Sequence, residues 1–285
     1  MPEPKVLLAG LGIPESPRWH DGRLWFCNWL DQQIVAVAEG GTPEVMAAPV
    51  ERSMGWSIDW LPDGRLLTTG DRLRRYEPDG SVVTVAEQAA NEIVVDGRGN
   101  VYLDGADFDF AGGAAPKPGW IKLVTPDGAV RQVADDIQFP NGMIITPDGR
   151  TLIVSESFTG RLLAFDIEAD GGLSGRRVFA EGLGPDGICL DAGGAVWVST
   201  GKNSIVRVAD GGEVLQRVEL SPDRAPFAMV LGGHTLFIAT AEWRAGDGIT
   251  ENIGRLVNGP RTGMILALPV DVPGAVSREP SAQGR

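Results

Sequence analysis

Histidine and cysteine are scarce in this chain, each occurring twice in 285 residues. His20 and His234 both fall in turn-like segments, so imidazole catalysis is not expected. Cys27 and Cys189 lie in apolar strands of different units and read as free, buried thiols. A Gly-x-Ser-x-Gly elbow is missing, which argues against a serine nucleophile of that kind. Lys/Arg clusters are also missing. With 25 basic against 38 acidic residues the net charge is −13, which opposes a nucleic-acid or anionic-membrane surface and serves solubility. No apolar run approaches the length that spans a bilayer, and Met1–Lys5 lacks the apolar core of a signal peptide. A soluble, cytoplasmic protein is the expectation. Long helical periodicity and Pro/Ser-rich linkers are likewise absent.

Turn formers and short apolar strands are what the chain has in quantity. It carries 39 Gly and 20 Pro, while 43 % hydrophobic content supplies a core. Six times a short apolar strand follows a Gly-centred turn, at Gly22, Gly64, Gly99, Gly149, Gly194 and Gly233, with intervals of 42, 35, 50, 45 and 39 residues. Second hairpins lie between these markers, as in Tyr76-Glu77-Pro78-Asp79-Gly80 and Val124-Thr125-Pro126-Asp127-Gly128. Two hairpins per unit make four strands, the content of one propeller blade. The expected fold is all-β, a six-bladed β-propeller with a metal site in its central channel, formed by residues 1–285 as one domain with 278–285 frayed. Lys5–Ala9 is expected to pair with Met264–Leu268 and complete the last blade, which removes exposed sheet edges.

Alignment on the turns isolates one rung. Asn91, Asn141 and Asp186 each stand eight residues before their marker glycine, and Glu15 stands seven before Gly22. The first strand of a blade lines the channel, so these four side chains ring one mouth of it. Trp56 and the Pro226-Phe227 pair fall near the same rung and are expected to form apolar wall. Two carboxylates and two carboxamides aimed at an axis repel or go unsatisfied unless a cation sits between them. All-oxygen donors favour Ca²⁺, Mg²⁺ or Mn²⁺, and Zn²⁺ and Fe²⁺ also accept carboxylate and water. The competing reading is that these residues only cap turns or bond backbone at strand starts.

The segments Pro14-Glu15-Ser16-Pro17-Arg18-Trp19, Phe139-Pro140-Asn141-Gly142-Met143 and Gly184-Pro185-Asp186-Gly187-Ile188 resemble the three metal-binding motifs of the SMP-30/gluconolactonase/luciferin-regenerating-enzyme family. The resemblance covers nearly the whole chain, including Val154–Arg161. It implies one divalent ion held by Glu15, Asn141 and Asp186, with Asp186 also activating water. Asn91 matches a position that binds substrate in the lactonases, or the metal in related calcium-dependent phosphotriesterases. One departure stands out: the family's sugar lactonases carry Arg-x-Asn-Asp where this chain reads Ala89-Ala90-Asn91-Glu92. The missing arginine puts a polyhydroxylated lactone in doubt and leaves the reaction class less affected.

The reading that follows is metal-assisted hydrolysis of a small-molecule substrate, foremost a lactone. Phosphotriester chemistry on the same ligands and a non-catalytic binding platform with a structural ion are the alternatives. The glycine-rich stretch Asp104–Gly113 is either a lid supplying Phe108, Phe110 or Lys117 to a ligand, or a solvated loop. Glu242-Trp243-Arg244 reads as an exposed loop.

Overall fold

The structure is a computed structural model that describes residues 3–38, 41–50, 54–108, 114–244 and 246–275. It is a six-bladed propeller of six four-stranded antiparallel sheets. Blades 1 to 5 begin with the inner strands Pro14–His20, Ile58–Trp60, Ile93–Val95, Pro140–Ile145 and Cys189–Leu190. Blade 6 begins with Arg224–Gly232 and ends with the first strand of the chain, Lys5–Leu11, which pairs antiparallel with Gly263–Pro269. The expected closure between the two ends is therefore present. Pro14–His20 touches both Ile58–Trp60 and Arg224–Gly232, which joins the first blade to its neighbours around the channel.

The marker glycines explain why each unit turns where it does. All six adopt left-handed backbone, with φ of 69° at Gly22, 84° at Gly64, 82° at Gly99, 70° at Gly149, 81° at Gly194 and 56° at Gly233. A side chain is penalised there and glycine is not. The core fills the wedges between neighbouring sheets. Cys189, Trp197, Met229, Leu236 and Ile238 interleave between blades 5 and 6, and Tyr102, Ile121, Leu152 and Leu163 between blades 3 and 4. Outer strands such as Val82–Ala86 and Leu173–Glu181 are mostly exposed. Cys27 and Cys189 are buried and unpaired, as the sequence suggested.

Two elements differ from expectation. A helix, α1 (Ile249–Asn258), interrupts blade 6 between Thr235–Glu242 and Gly263–Pro269. Only Asn252 and Leu256 are buried, a four-residue spacing too brief to stand out as a periodic pattern, and the helix contains Gly254 and starts without a side-chain cap. Asn252 anchors it: Oδ1 accepts the Arg244 N–H at 2.9 Å and Nδ2 donates to the Arg244 carbonyl at 3.1 Å. The stretch read as a loop from Asp104 begins later, because Val101–Ala106 is a continuous strand. Phe110 lies outside the described residues, as does the 278–285 tail, while Lys117 is exposed.

Candidate metal centre

The rung predicted from spacing forms, and bulges help to shape it. Ladder register breaks between Glu15 and Arg18, between Pro140 and Met143, and between Pro226 and Ala228, so Glu15, Asn141 and Phe227 all stand at irregular positions on inner strands. Bulges re-aim side chains in this way. Ser16, at φ 49°, carries the strain of the first one. Asn91 and Asp186 instead stand just ahead of their short strands.

The four donors meet. Asn91 Nδ2 lies 3.4 Å from Asn141 Oδ1, and the Asn141 amide is near enough to Asp186 to oppose the upward shift of its carboxyl. The charge of Asp186 reaches Glu15. Glu15 is 8 % exposed, while Asn91, Asn141 and Asp186 are half-buried and present surface at the channel mouth. Glycines permit this convergence. A Cβ on Gly142 would lie 2.5 Å from the Asp186 carbonyl oxygen, and one on Gly187 would lie 2.4 Å from the Ala228 Cβ. The Asn-Gly and Asp-Gly pairs thus let neighbouring inner strands approach where their donors converge.

Supporting bonds come from residues whose roles the sequence did not disclose. Asp104 Oδ1 accepts the N–H groups of Asn91 at 3.0 Å and Glu92 at 2.6 Å, fixing the lead-in to blade 3. Ser155 donates to the Asp186 carbonyl at 2.7 Å. Arg18 crosses to Glu92 at 2.9 Å. Beneath the ring a small cavity of about 10 Å³, bordered by Ser16, Arg18, Glu92, Gly142, Gly187 and Met229, offers room for roughly one water.

The electrostatics are those of a cluster short of positive charge. Burial, then the charge of Asp186, then that of Glu92, raises the Glu15 carboxyl well above its usual value. Burial, with Glu92 second, pushes Asp186 up to about 7 despite the opposing influence of the Asn141 amide. Both carboxylates gain from a nearby cation. Half of the four donors are amides, and among the described residues no group of three or more His, Cys, Asp or Glu side chains has ligand spacing. The donor set, all oxygen once the amides present their carbonyls, fits a hard divalent ion.

The other predicted residues scatter. Trp56 has no accessible surface and is packed with Cys27, Ile34 and Ile58, so it forms core where apolar wall was expected. Its rung position is that of a residue just ahead of its strand, and in blade 2 that place faces the sheet wedge. Phe227 is half-buried, edge-on to Trp243 at 5.8 Å and gathered with Trp29 and Leu30 beside α1. Phe108 joins Phe139 and Phe158 in an aromatic group, with ring centroids 5.9 Å and 6.3 Å away. Ala89 is exposed. His20, the last residue of Pro14–His20, stacks on Trp60 at 4.1 Å, whereas His234 stands in a turn and bonds the Val270 carbonyl at 3.1 Å.

A six-bladed propeller with acidic and amide donors converging at one channel mouth defines the class. Residues 13–242 match the family described as SMP-30/Gluconolactonase/LRE-like region, and the chain belongs to that family. It is 28 % identical to regucalcin of Danio rerio over 231 residues, covering 74 % of this chain and 76 % of that protein. It is 26 % identical to lactonase drp35 of Staphylococcus haemolyticus over 188 residues, 63 % of this chain and 56 % of the lactonase, so the match spans little more than half of that relative. Over 157 residues, 49 % of this chain and 48 % of the relative, it is 31 % identical to diisopropyl-fluorophosphatase of Loligo vulgaris. Among solved structures, luciferin-regenerating enzyme superposes with a TM-score of 0.78 at 16 % identity, covering 97 % of this chain and 98 % of that one.

Proposed function

We propose that this protein is a divalent-metal-dependent hydrolase acting on a small molecule, a lactonase that opens a lactone ring by attack of water. The observation that carries the reading is the convergence of Glu15, Asn91, Asn141 and Asp186 at an accessible channel mouth. Glu15, Asn141 and Asp186 would hold the ion, and Asn91 faces it as substrate contact or fourth ligand. A bound divalent cation supplies a Lewis acid that polarises a carbonyl and stabilises the developing oxyanion. Asp186 is the proton acceptor for water, as a carboxylate at the ion's edge with an oxygen left to take the proton. Ser155 fixes its backbone. Phe227 on one side and Phe108 with its aromatic neighbours on another supply apolar surface for the rest of a ligand.

Relatives named lactonase and regucalcin support this reading. The match to diisopropyl-fluorophosphatase, together with the Asn91–Asn141 contact, supports phosphotriester hydrolysis as the second reading, since it makes Asn91 a ligand. Accessible donors favour an enzyme over a platform with a sealed ion. A cytoplasmic location belongs to the same proposal, and two unpaired thiols suit a reducing compartment.

The test is acid release from a panel of lactones, esters and diisopropyl fluorophosphate, with metal stripped and then restored. Chelation is expected to abolish lactone turnover and one added divalent ion to restore it. Asp186→Asn at saturating ion is expected to lower kcat by about 10²–10⁴-fold, because an amide can coordinate but cannot take a proton. Full activity after chelation, or an unimpaired Asp186→Asn enzyme, would contradict the proposal.

A further inference from the structure

Arg18 lies three residues past Glu15 on the same bulged strand, yet its guanidinium is directed across the channel to blade 3. There Nη2 donates to Glu92 Oε2 and to the Ile93 carbonyl, each at 2.9 Å, while Nη1 donates to the Pro17 carbonyl at 3.1 Å. The partners are 74 residues apart in sequence, and their side chains are only 21 % and 8 % exposed. Glu92 directly follows the ring residue Asn91, and its charge reaches both Glu15 and Asp186. The one-water cavity lies between this pair and the inner strands of blades 4, 5 and 6, and Arg18 is the only cation among the described residues that line it.

These contacts place a third buried carboxylate within electrostatic reach of the two in the ring. A buried carboxylate with no counter-charge either takes a proton or recruits a cation. The Arg18 guanidinium opposes both. It keeps its charge at every accessible pH and offers Glu92 a fixed donor, and it opposes entry of a further cation into the channel below the ring.

We propose that Arg18 is a positioning residue, a cation built into the channel that partly offsets the charge of Glu92 beneath the ring and limits the centre to a single divalent ion. This inference rests on the metal-centre reading above and adds to it the reason that only one ion is taken up.

The experiment is calorimetric titration of chelated protein with CaCl₂ at about pH 8, on the parent, Arg18→Met, Arg18→Lys, Glu92→Gln and the Arg18→Met/Glu92→Gln double variant. The parent and Arg18→Lys are expected to take up one Ca²⁺ per chain. Arg18→Met should bind more, as a second equivalent or as a tenfold or greater fall in Kd. Glu92→Gln should move the other way, weakening Ca²⁺ binding at least tenfold by leaving the guanidinium uncompensated, and the double variant should return to one ion with near-parental Kd. A purely structural salt bridge predicts lower melting temperatures with ion count and Kd unmoved. An Arg18→Met protein with parental stoichiometry and a Kd within tenfold of the parent overturns the proposal. If that variant does not fold, a parental Kd in Glu92→Gln overturns it instead. A parent that takes up no Ca²⁺ overturns the metal-centre reading itself and this inference with it, a result separable from the other two.

Discussion

Asp186 and Glu15 gather the main electrostatic features of the site, and their chemistry sets its pH behaviour. In the ion-free protein both carboxyls are raised above their usual values, Asp186 to about 7. The folded state therefore holds protons that the unfolded chain has released, from the ordinary carboxylate range up to about pH 7. Stability from these groups is fully present below that range and is lost as pH rises through the folded values. Chelated protein is expected to show a melting temperature that falls between about pH 5 and pH 8, with Ca²⁺ restoring it at the upper end, because the ion then supplies the charge that protons supplied. A melting temperature that climbs steadily over the same interval, with and without Ca²⁺, would contradict this assignment. Ala89 sets a second expectation at this scale. A guanidinium at that exposed position would offer a fork of donors to substrate hydroxyls, whereas each hydroxyl left unpaired in a pocket costs about 1–3 kcal/mol. The parent should turn over an apolar lactone with higher kcat/KM than a gluconolactone-type sugar, and Ala89→Arg should shift that ratio towards the sugar. A tenfold parental preference for the sugar would show that another donor does this work.

At the scale of elements, local sterics made much of the fold readable. Each marker glycine needs left-handed backbone, so its turn is visible in isolation, and a repeat spacing of seven or eight residues then places Glu15, Asn91, Asn141 and Asp186 on one rung. What escaped are residues whose partners are distant. Arg18 and Glu92 meet across the channel, and Asp104 turns back to the backbone of Asn91 and Glu92. Nothing near Arg18 in sequence announces a buried ion pair. Trp56 was misplaced for a related reason: its rung position was right, but the direction of its side chain is set by the neighbouring blade. Helix α1 was hidden because its stability comes from docking, through Leu256 and the bonds of Asn252, more than from its own sequence. Asn252→Ala is expected to destabilise the protein by about 1–3 kcal/mol through loss of the buried amide and its bonds to the Arg244 backbone, and Leu256→Ala by about 2–5 kcal/mol. Both are measurable by denaturant unfolding. Losses under about 0.5 kcal/mol in both would mean that α1 is not anchored by these two side chains.

For the molecule as a whole, the propeller matters because it brings residues from four blades to one point without any of them being neighbours in sequence. Closure through Lys5–Leu11 against Gly263–Pro269 completes blade 6, and that blade carries Phe227 to the rim. The ring itself is drawn from blades 1, 3, 4 and 5, and its positions depend on how those inner strands bulge and close. The central claim is that the ring is a cation site, and a calcium anomalous difference map from crystals grown with Ca²⁺ tests it most directly. One peak is expected at the channel mouth, at about 2.3–2.6 Å from oxygens of Glu15, Asn141 and Asp186. A map with no peak there, while the crystals hold Ca²⁺ elsewhere, would contradict it.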